Sequence, residues 1–275
     1  MNRQLVVLFA AVVSGCGGGG GGSSFQDLPD SECQGTGDCD LVIDSGVAYR
    51  LDPGRYEFLT LEVHGDLRVD SGAVKIFANK IVLTGHINAS ASGRCKQNGG
   101  TVLSGGYSIS LVAEAIEYSG IISSNGGARS CTGQGSLVTG RTSNGGRVHL
   151  EGDSINFSGN IYASGGDGFA YSCSPGEGCS LSGGKGGTVT IVSRSETLPI
   201  LAGSIYATGG DGGDPASNVD GTYAGSGGSG GTVELEPAGA YTALTIDVSG
   251  GSVKACADCD EAPGPGGPGM VEGLL

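Results

Sequence analysis

The sequence predicts an all-β chain, a single-stranded parallel β-helix (a β-solenoid) with long Gly-rich loops on one side. Three observations predict it. Glycine supplies 57 of 275 residues and Trp is absent; because Gly costs roughly 1 kcal/mol against Ala inside a helix, a mostly helical fold is excluded. Strict Gly-X-Y periodicity is missing as well, which excludes collagen. Second, one pattern of alternating apolar and polar residues recurs five times. Third, the interval inside the pattern is nearly constant while the intervals between copies vary, as stacked units with variable connectors require.

The copies are "AVKIFANKIVLTGHINASAS" (73–92), "SISLVAEAIEYSGIISSNGG" (108–127), "RVHLEGDSINFSGNIYASGG" (147–166), "TVTIVSRSETLPILAGSIYATGG" (188–210) and "TVELEPAGAYTALTIDVSGG" (232–251). Val74 to Ile87, Ile109 to Ile122, Val148 to Ile161 and Val233 to Ile246 each span 13 residues; Val189 to Ile205 spans 16, with the excess around "SRSETLP". Apolar residues alternate with polar ones within each copy, the period of a half-buried strand. Stacking the copies in parallel register places Val74, Ile109, Val148, Val189 and Val233 in one internal column, and Ile87, Ile122, Ile161, Ile205 and Ile246 in another. Gly126, Gly165, Gly209 and Gly250 then read as tight turns, and "GGKGG" (183–187) and "GGSGG" (227–231) as returns to the next unit. The alternating stretch 40–70 reads as the first coils and amino-terminal cap.

The amino terminus "MNRQLVVLFAAVVSGC" has a basic residue, a short apolar run and small residues, the layout of a secretory signal. The run falls short of the roughly 20 apolar residues that span a bilayer. Val13-Ser14-Gly15-Cys16 resembles the lipobox of bacterial lipoproteins, and the resemblance implies cleavage before Cys16 and lipidation of its thiol. The "GGGGGGSS" that follows has the composition of a flexible tether. Gly17 after that Cys is similar to outer-membrane sorting signals. The expected organisation is a signal peptide over 1–15, a lipid-anchored tether over 16–30, a β-helix with its cap over 31–253, and a flexible tail over 254–275, where "APGPGGPGMVEGLL" is rich in Pro and Gly. In repeat texture the body resembles Gly-rich lipoproteins of bacterial surfaces and the pectate-lyase-like parallel β-helix superfamily. That resemblance implies a right-handed coil and carries no catalytic motif.

Acids outnumber bases 28 to 14 and no basic run occurs, which excludes a nucleic-acid footprint. Beyond Cys16, eight cysteines remain: Cys33, Cys39, Cys95, Cys131, Cys173, Cys179, Cys256 and Cys259. An even number in an exported chain reads as disulfides. Locality suggests Cys33 with Cys39 and Cys173 with Cys179, and Cys95 with Cys131 across adjacent units. Cys256 and Cys259 form a CxxC, but no second CxxC or nearby His completes a zinc site, and no βαβ unit supports a thioredoxin-like role.

No metal or cofactor is expected. "GGDGGD" (209–214) matches the start of a calcium nonapeptide but has no tandem copy, so Asp167, Asp211, Asp214 and Asp220 read as turn acids. His64, His86 and His149 fall on different units and read as isolated, while Arg141 and Lys185 are scattered, so no catalytic residue is assigned. Outward-facing Tyr162 and Tyr206 should lie about 4.8 Å apart, beside a hydroxyl-rich ladder of Ser90, Asn125, Ser164, Thr208 and Ser249, where a sugar could bind. Those columns are too mixed for ice binding. Tyr162, Tyr206, Asp167 and Asp211 are the candidate ligand-facing residues. The expected function is that of an exported, outer-membrane, lipid-anchored surface protein with a non-catalytic scaffold for structural or adhesive recognition. Its partners would be the membrane, through the anchor, and a glycan or other surface. A polysaccharide-active enzyme or carbohydrate-binding module, and a calcium-dependent adhesin, are the alternatives.

Overall fold

The computed structural model describes residues 26–27, 39–91, 94–95, 101–102, 105–127, 142–168, 170–174, 177–180, 182–195, 199–213, 225–239, 241, 243–253 and 264–274. Most of its strands divide between two parallel sheets, and the remaining four form two short antiparallel pairs. The eight-stranded sheet runs through Gln26–Asp27, Ala48–Leu51, Asp66–Val69, His86–Asn88, Ile121–Ser123, Asn160–Tyr162, Ser204–Tyr206 and Thr245–Asp247. The nine-stranded sheet runs through Asp40–Ile43, Gly54–Val63, Ala73–Leu83, Ser108–Tyr118, Arg147–Phe157, Thr188–Ser193, Thr232–Gly239 and Met270–Leu274. Its remaining strand, Ile200–Leu201, pairs with the end of Arg147–Phe157.

The expected single-stranded β-helix with Gly-rich loops on one side is therefore corrected: hydrogen bonding defines two separate sheets. The chain passes from one to the other at a glycine corner. A Cβ on Gly85 would lie 2.1 Å from the Gly65 carbonyl oxygen, and the same approach recurs at Gly120 (2.1 Å from Gly85 O), Gly159 (2.3 Å from Gly120 O) and Gly203 (2.0 Å from Gly159 O). Only glycine lets successive corners approach so closely.

The register follows the sequence columns. Ile109 pairs with Val74 and Val148, and Val189 pairs with Val148 and Val233. Ile87, Ile122, Ile161, Ile205 and Ile246 are likewise successive partners. Both columns are fully buried apart from Ile246, and each such side chain contributes roughly 1.5–3 kcal/mol by leaving water. Tyr118 and Phe157 stack in the same core with centroids 4.8 Å apart. The tyrosine hydroxyl donates to the Asn160 carbonyl and accepts the Ile122 N–H at 2.9 Å. Burial pushes its pKa well above the usual phenol range. The three extra residues of the fourth copy interrupt its strand, which stops at Ser193 and resumes at Ile200.

The glycine-rich stretches are neither tight turns nor free loops. Among the described residues only Gly46, Gly72 and Gly273 have positive φ. The stretches run extended in two facing layers, and their amides point in three directions in rotation. In 183–187, Gly183 N–H donates to Ser226 O (2.9 Å) and Gly186 N–H to Ser229 O (2.9 Å), within one layer. Gly184 N–H donates to Gly166 O (2.8 Å) and Gly187 N–H to Ala163 O (2.6 Å), across the layers. Lys185 faces outward. The amide directions thus repeat every three residues. The facing positions admit no side chain: a Cβ on Gly184 would stand 2.2 Å from Ser143 O, and one on Gly210 2.1 Å from Gly166 O. One hydrogen-bonded file crosses both layers, from Gly266 through Gly251, Gly228, Gly210, Gly184 and Gly166 to Ser143, each N–H donating to the next carbonyl at 2.8–3.0 Å. The carboxyl-terminal stretch belongs to the same array and ends in the strand Met270–Leu274, where a fraying tail was expected.

Candidate functional site

Alternate residues of the eight-stranded sheet point away from the core and form two outward columns. One holds Asp66, His86, Ile121, Asn160, Ser204 and Thr245; the other holds Arg68, Asn88, Ser123, Tyr162, Tyr206 and Asp247. Tyr162 and Tyr206 are partners in register, with ring centroids 5.1 Å apart and planes 7° from parallel. Each ring thus covers one face of the other. A sugar cannot enter between them, and what the pair offers solvent is ring edges, hydroxyls and the two outer faces.

The candidate acids hold the molecule together. Asp167 Oδ1 accepts the Asp211 N–H at 2.9 Å, and Asp211 Oδ1 accepts both the N–H and the hydroxyl of Ser252 at 2.8 Å. Neighbouring residues repeat the device. Asn125 Oδ1 takes the Ser164 N–H and Asn144 Oδ1 the Lys185 N–H, both at 2.9 Å, while Ser90 Oγ takes the Asn125 N–H at 3.1 Å. The outward-pointing amides of Asn125, Ser164, Lys185, Asp211 and Ser252 are thereby satisfied by side chains from the neighbouring unit, whereas the Ser249 N–H is taken by Asp247 of its own unit. In the ladder itself, Thr208 donates its hydroxyl to Ser164 Oγ at 2.9 Å. Asp214, Asp220 and Arg141 lie outside the described residues, and no cluster of three or more potential metal ligands occurs among the described ones.

The histidines are not isolated. His64 Nδ1 lies 2.7 Å from Thr84 Oγ1, and its Nε2 3.3 Å from Glu62 Oε2. His149 Nε2 lies 3.2 Å from Glu151 Oε2. His86 stands between an acid and a hydroxyl: Nε2 is 3.1 Å from Ser123 Oγ, and Nδ1 is 3.8 Å from Asp66 Oδ1. Partial burial lowers the His86 pKa below its ordinary value, against the opposing pull of Asp66. A groove lined by His64, Asp66, Thr84, His86, Ile121 and Asn160 opens beside this trio. Asp66, His86 and Ser123 are 20 and 37 residues apart, so no sequence motif joins them. The Ile87–Ile122 column already sets His86 diagonal to Ser123, and placing Leu67 level with Ile87, as the structure does, adds Asp66.

Cys39 is buried and disulfide-bonded. Cys95 lies in a short antiparallel pair, Arg94–Cys95 with Thr101–Val102; Cys173 and Cys179 lie in a second, Ala170–Ser174 with Glu177–Ser180. Cys16, Cys33, Cys131, Cys256 and Cys259 fall outside the described residues, as do residues 1–15, where a signal peptide is expected. Among the described residues no helix is long and apolar enough to cross a membrane. No family model, no curated protein and no solved structure matches this chain.

Proposed function

We propose that the protein is exported, lipid-anchored at Cys16 to the bacterial outer membrane, and presents a rigid body as a scaffold and recognition surface at the cell envelope. The observation that carries this reading is where the outward polar groups are spent. Asn125, Asn144, Asp167 and Asp211 each hold a backbone amide of the neighbouring unit, so the side chains best suited to a ligand are instead used to stiffen the body. The positions left for recognition are the outer edges of the Tyr162–Tyr206 pair and the two antiparallel hairpin pairs that interrupt the glycine-rich layers. The leader and its Cys16 supply the anchor, since a lipidated amino terminus carrying more than one acyl chain holds a soluble body firmly at a bilayer.

The anchor is tested by Cys16→Ser. The variant should leave the membrane fraction for the soluble one, and unchanged fractionation would defeat the anchoring proposal. Recognition is tested by retention of the soluble body on immobilised surface glycans. Retention lost on Tyr162→Ala would place the contact at the tyrosine pair, and no retention on any glycan would remove the glycan as partner.

A further inference from the structure

We propose that Ser123 is a nucleophile and His86 its general base, in a site that cleaves carboxylic esters at the outward face of the eight-stranded sheet. The expectation of a body without catalysis rested on histidines read as isolated. The register removes that premise by bringing Asp66, His86 and Ser123 onto three consecutive strands of one sheet face.

The geometry supplies the parts that acyl transfer needs. The Ser123 hydroxyl lies within hydrogen-bond reach of His86 Nε2, at 3.1 Å. With its proton on Nδ1, the imidazole accepts at Nε2. The Asp66 carboxylate, 3.8 Å from Nδ1, is too far for a firm hydrogen bond but is placed to favour that tautomer and the imidazolium formed later. Asp66 is a positioning residue in this scheme. A donor for the developing oxyanion stands next to Ser123: Asn88 is its direct partner in register. The Asn88 side-chain Oδ1 accepts the Ser90 N–H at 3.0 Å, so the donor of that amide, Nδ2, is the group to serve the oxyanion. Partial burial lowers the His86 pKa below its ordinary value, against the pull of Asp66, which favours the neutral imidazole that a base requires.

The reaction balances without any further reagent. Ser123 Oγ bonds to the ester carbonyl carbon as its proton moves to His86 Nε2. The tetrahedral intermediate collapses, the carbon–alkoxide bond breaks, and the leaving alkoxide takes that proton. Water then attacks the acyl-serine, giving its proton to Nε2. The acid departs, and Ser123 Oγ recovers the proton. The second imidazole–hydroxyl pair, His64 with Thr84 at 2.7 Å, offers a more hindered secondary hydroxyl and serves as the internal control.

The test uses the purified full-length chain and a fluorophosphonate probe, with which Ser123 Oγ would form a P–O bond as fluoride departs. Peptide mass spectrometry should locate one adduct on Ser123, and Ser123→Ala should abolish it. His86→Gln should slow the labelling at least tenfold. The wild-type rate should rise with pH as His86 loses its proton, level off above an inflection that lies below the ordinary imidazole value of about 6.5, and follow hydrolysis of p-nitrophenyl butyrate. Asp66→Asn should move that inflection to lower pH, because the charge that supports the imidazolium is gone; a merely structural role would leave it in place. Circular dichroism guards against misfolding of Ser123→Ala. No adduct, an adduct on another residue, or a rate indifferent to His86→Gln would each overturn the proposal.

Discussion

Replacing Gly228 by Ala tests the layered glycine array most directly. The new Cβ would stand 1.9 Å from the Gly184 carbonyl oxygen and 2.5 Å from its carbon, where an ordinary contact needs about 3.5 Å. The obstacle is backbone, so no side chain can swing aside, and the stretches 183–187 and 227–231, neighbours within one layer, must separate by roughly 1.6 Å to admit the methyl group. Gly228 N–H donates to Gly210 O and Gly228 O accepts from Gly251 N–H, both at 2.8 Å, and that shift breaks them. Two lost hydrogen bonds cost about 1 kcal/mol each, and overpacking adds about 1–3 kcal/mol. The expected loss is about 3–5 kcal/mol. Gly267→Ala is the matched control, because a Cβ there meets nothing within 4 Å and its φ is ordinary; it should stay within about 0.5 kcal/mol of the parent. Urea unfolding followed by circular dichroism separates the two. With a slope of about 1–3 kcal/mol per molar, the Gly228 variant should unfold at least about 1 M earlier. Equal midpoints for the two variants would refute the account of the glycine layers.

Two further substitutions probe other contacts. Phe157→Ala removes a fully buried ring stacked on Tyr118 and should destabilise by about 3–5 kcal/mol, read as a lowered thermal midpoint. Asn125→Ala removes the acceptor of the Ser164 N–H; a loss of about 1 kcal/mol is expected, with faster hydrogen exchange at that one amide than at its neighbours.

Column register was legible because inward positions carry large aliphatic residues, whose 13-residue interval marks them without any knowledge of the connectors. The interruption near Ser195 was legible for the same reason, as an interval of 16. The sheet count was not, since the corners that divide the chain are marked only by Gly85, Gly120, Gly159 and Gly203, each one glycine among many. The glycine-rich layers escaped too. Their three-residue period lives in amide directions and leaves no apolar trace. Only in triplets such as Ser164-Gly165-Gly166 and Thr208-Gly209-Gly210 does the polar third position betray it. Asp167 and Asp211 were rightly read as satisfying amides, but the amides belong to the neighbouring unit. The trio at His86 was hidden because stretch 40–70 was read without a register that would place Leu67 level with Ile87.

Many contacts between neighbouring units span 44 residues, although the strand pairs before the interruption of the fourth copy, such as Val148 with Val189, span 41. Tyr162 meets Tyr206, Ser164 meets Thr208, Asp167 meets Asp211, Ser182 meets Ser226 and Thr190 meets Glu234, all 44 residues apart. A segment of that size could be excised or copied in, and each surviving surface would still find a partner of matching shape. Because bonding in such a pile is between nearest neighbours, its height is a heritable variable that can change in single jumps without redesign. The near-identical phrases "GNIYASGGDG" and "GSIYATGGDG" have the form such a jump would leave behind.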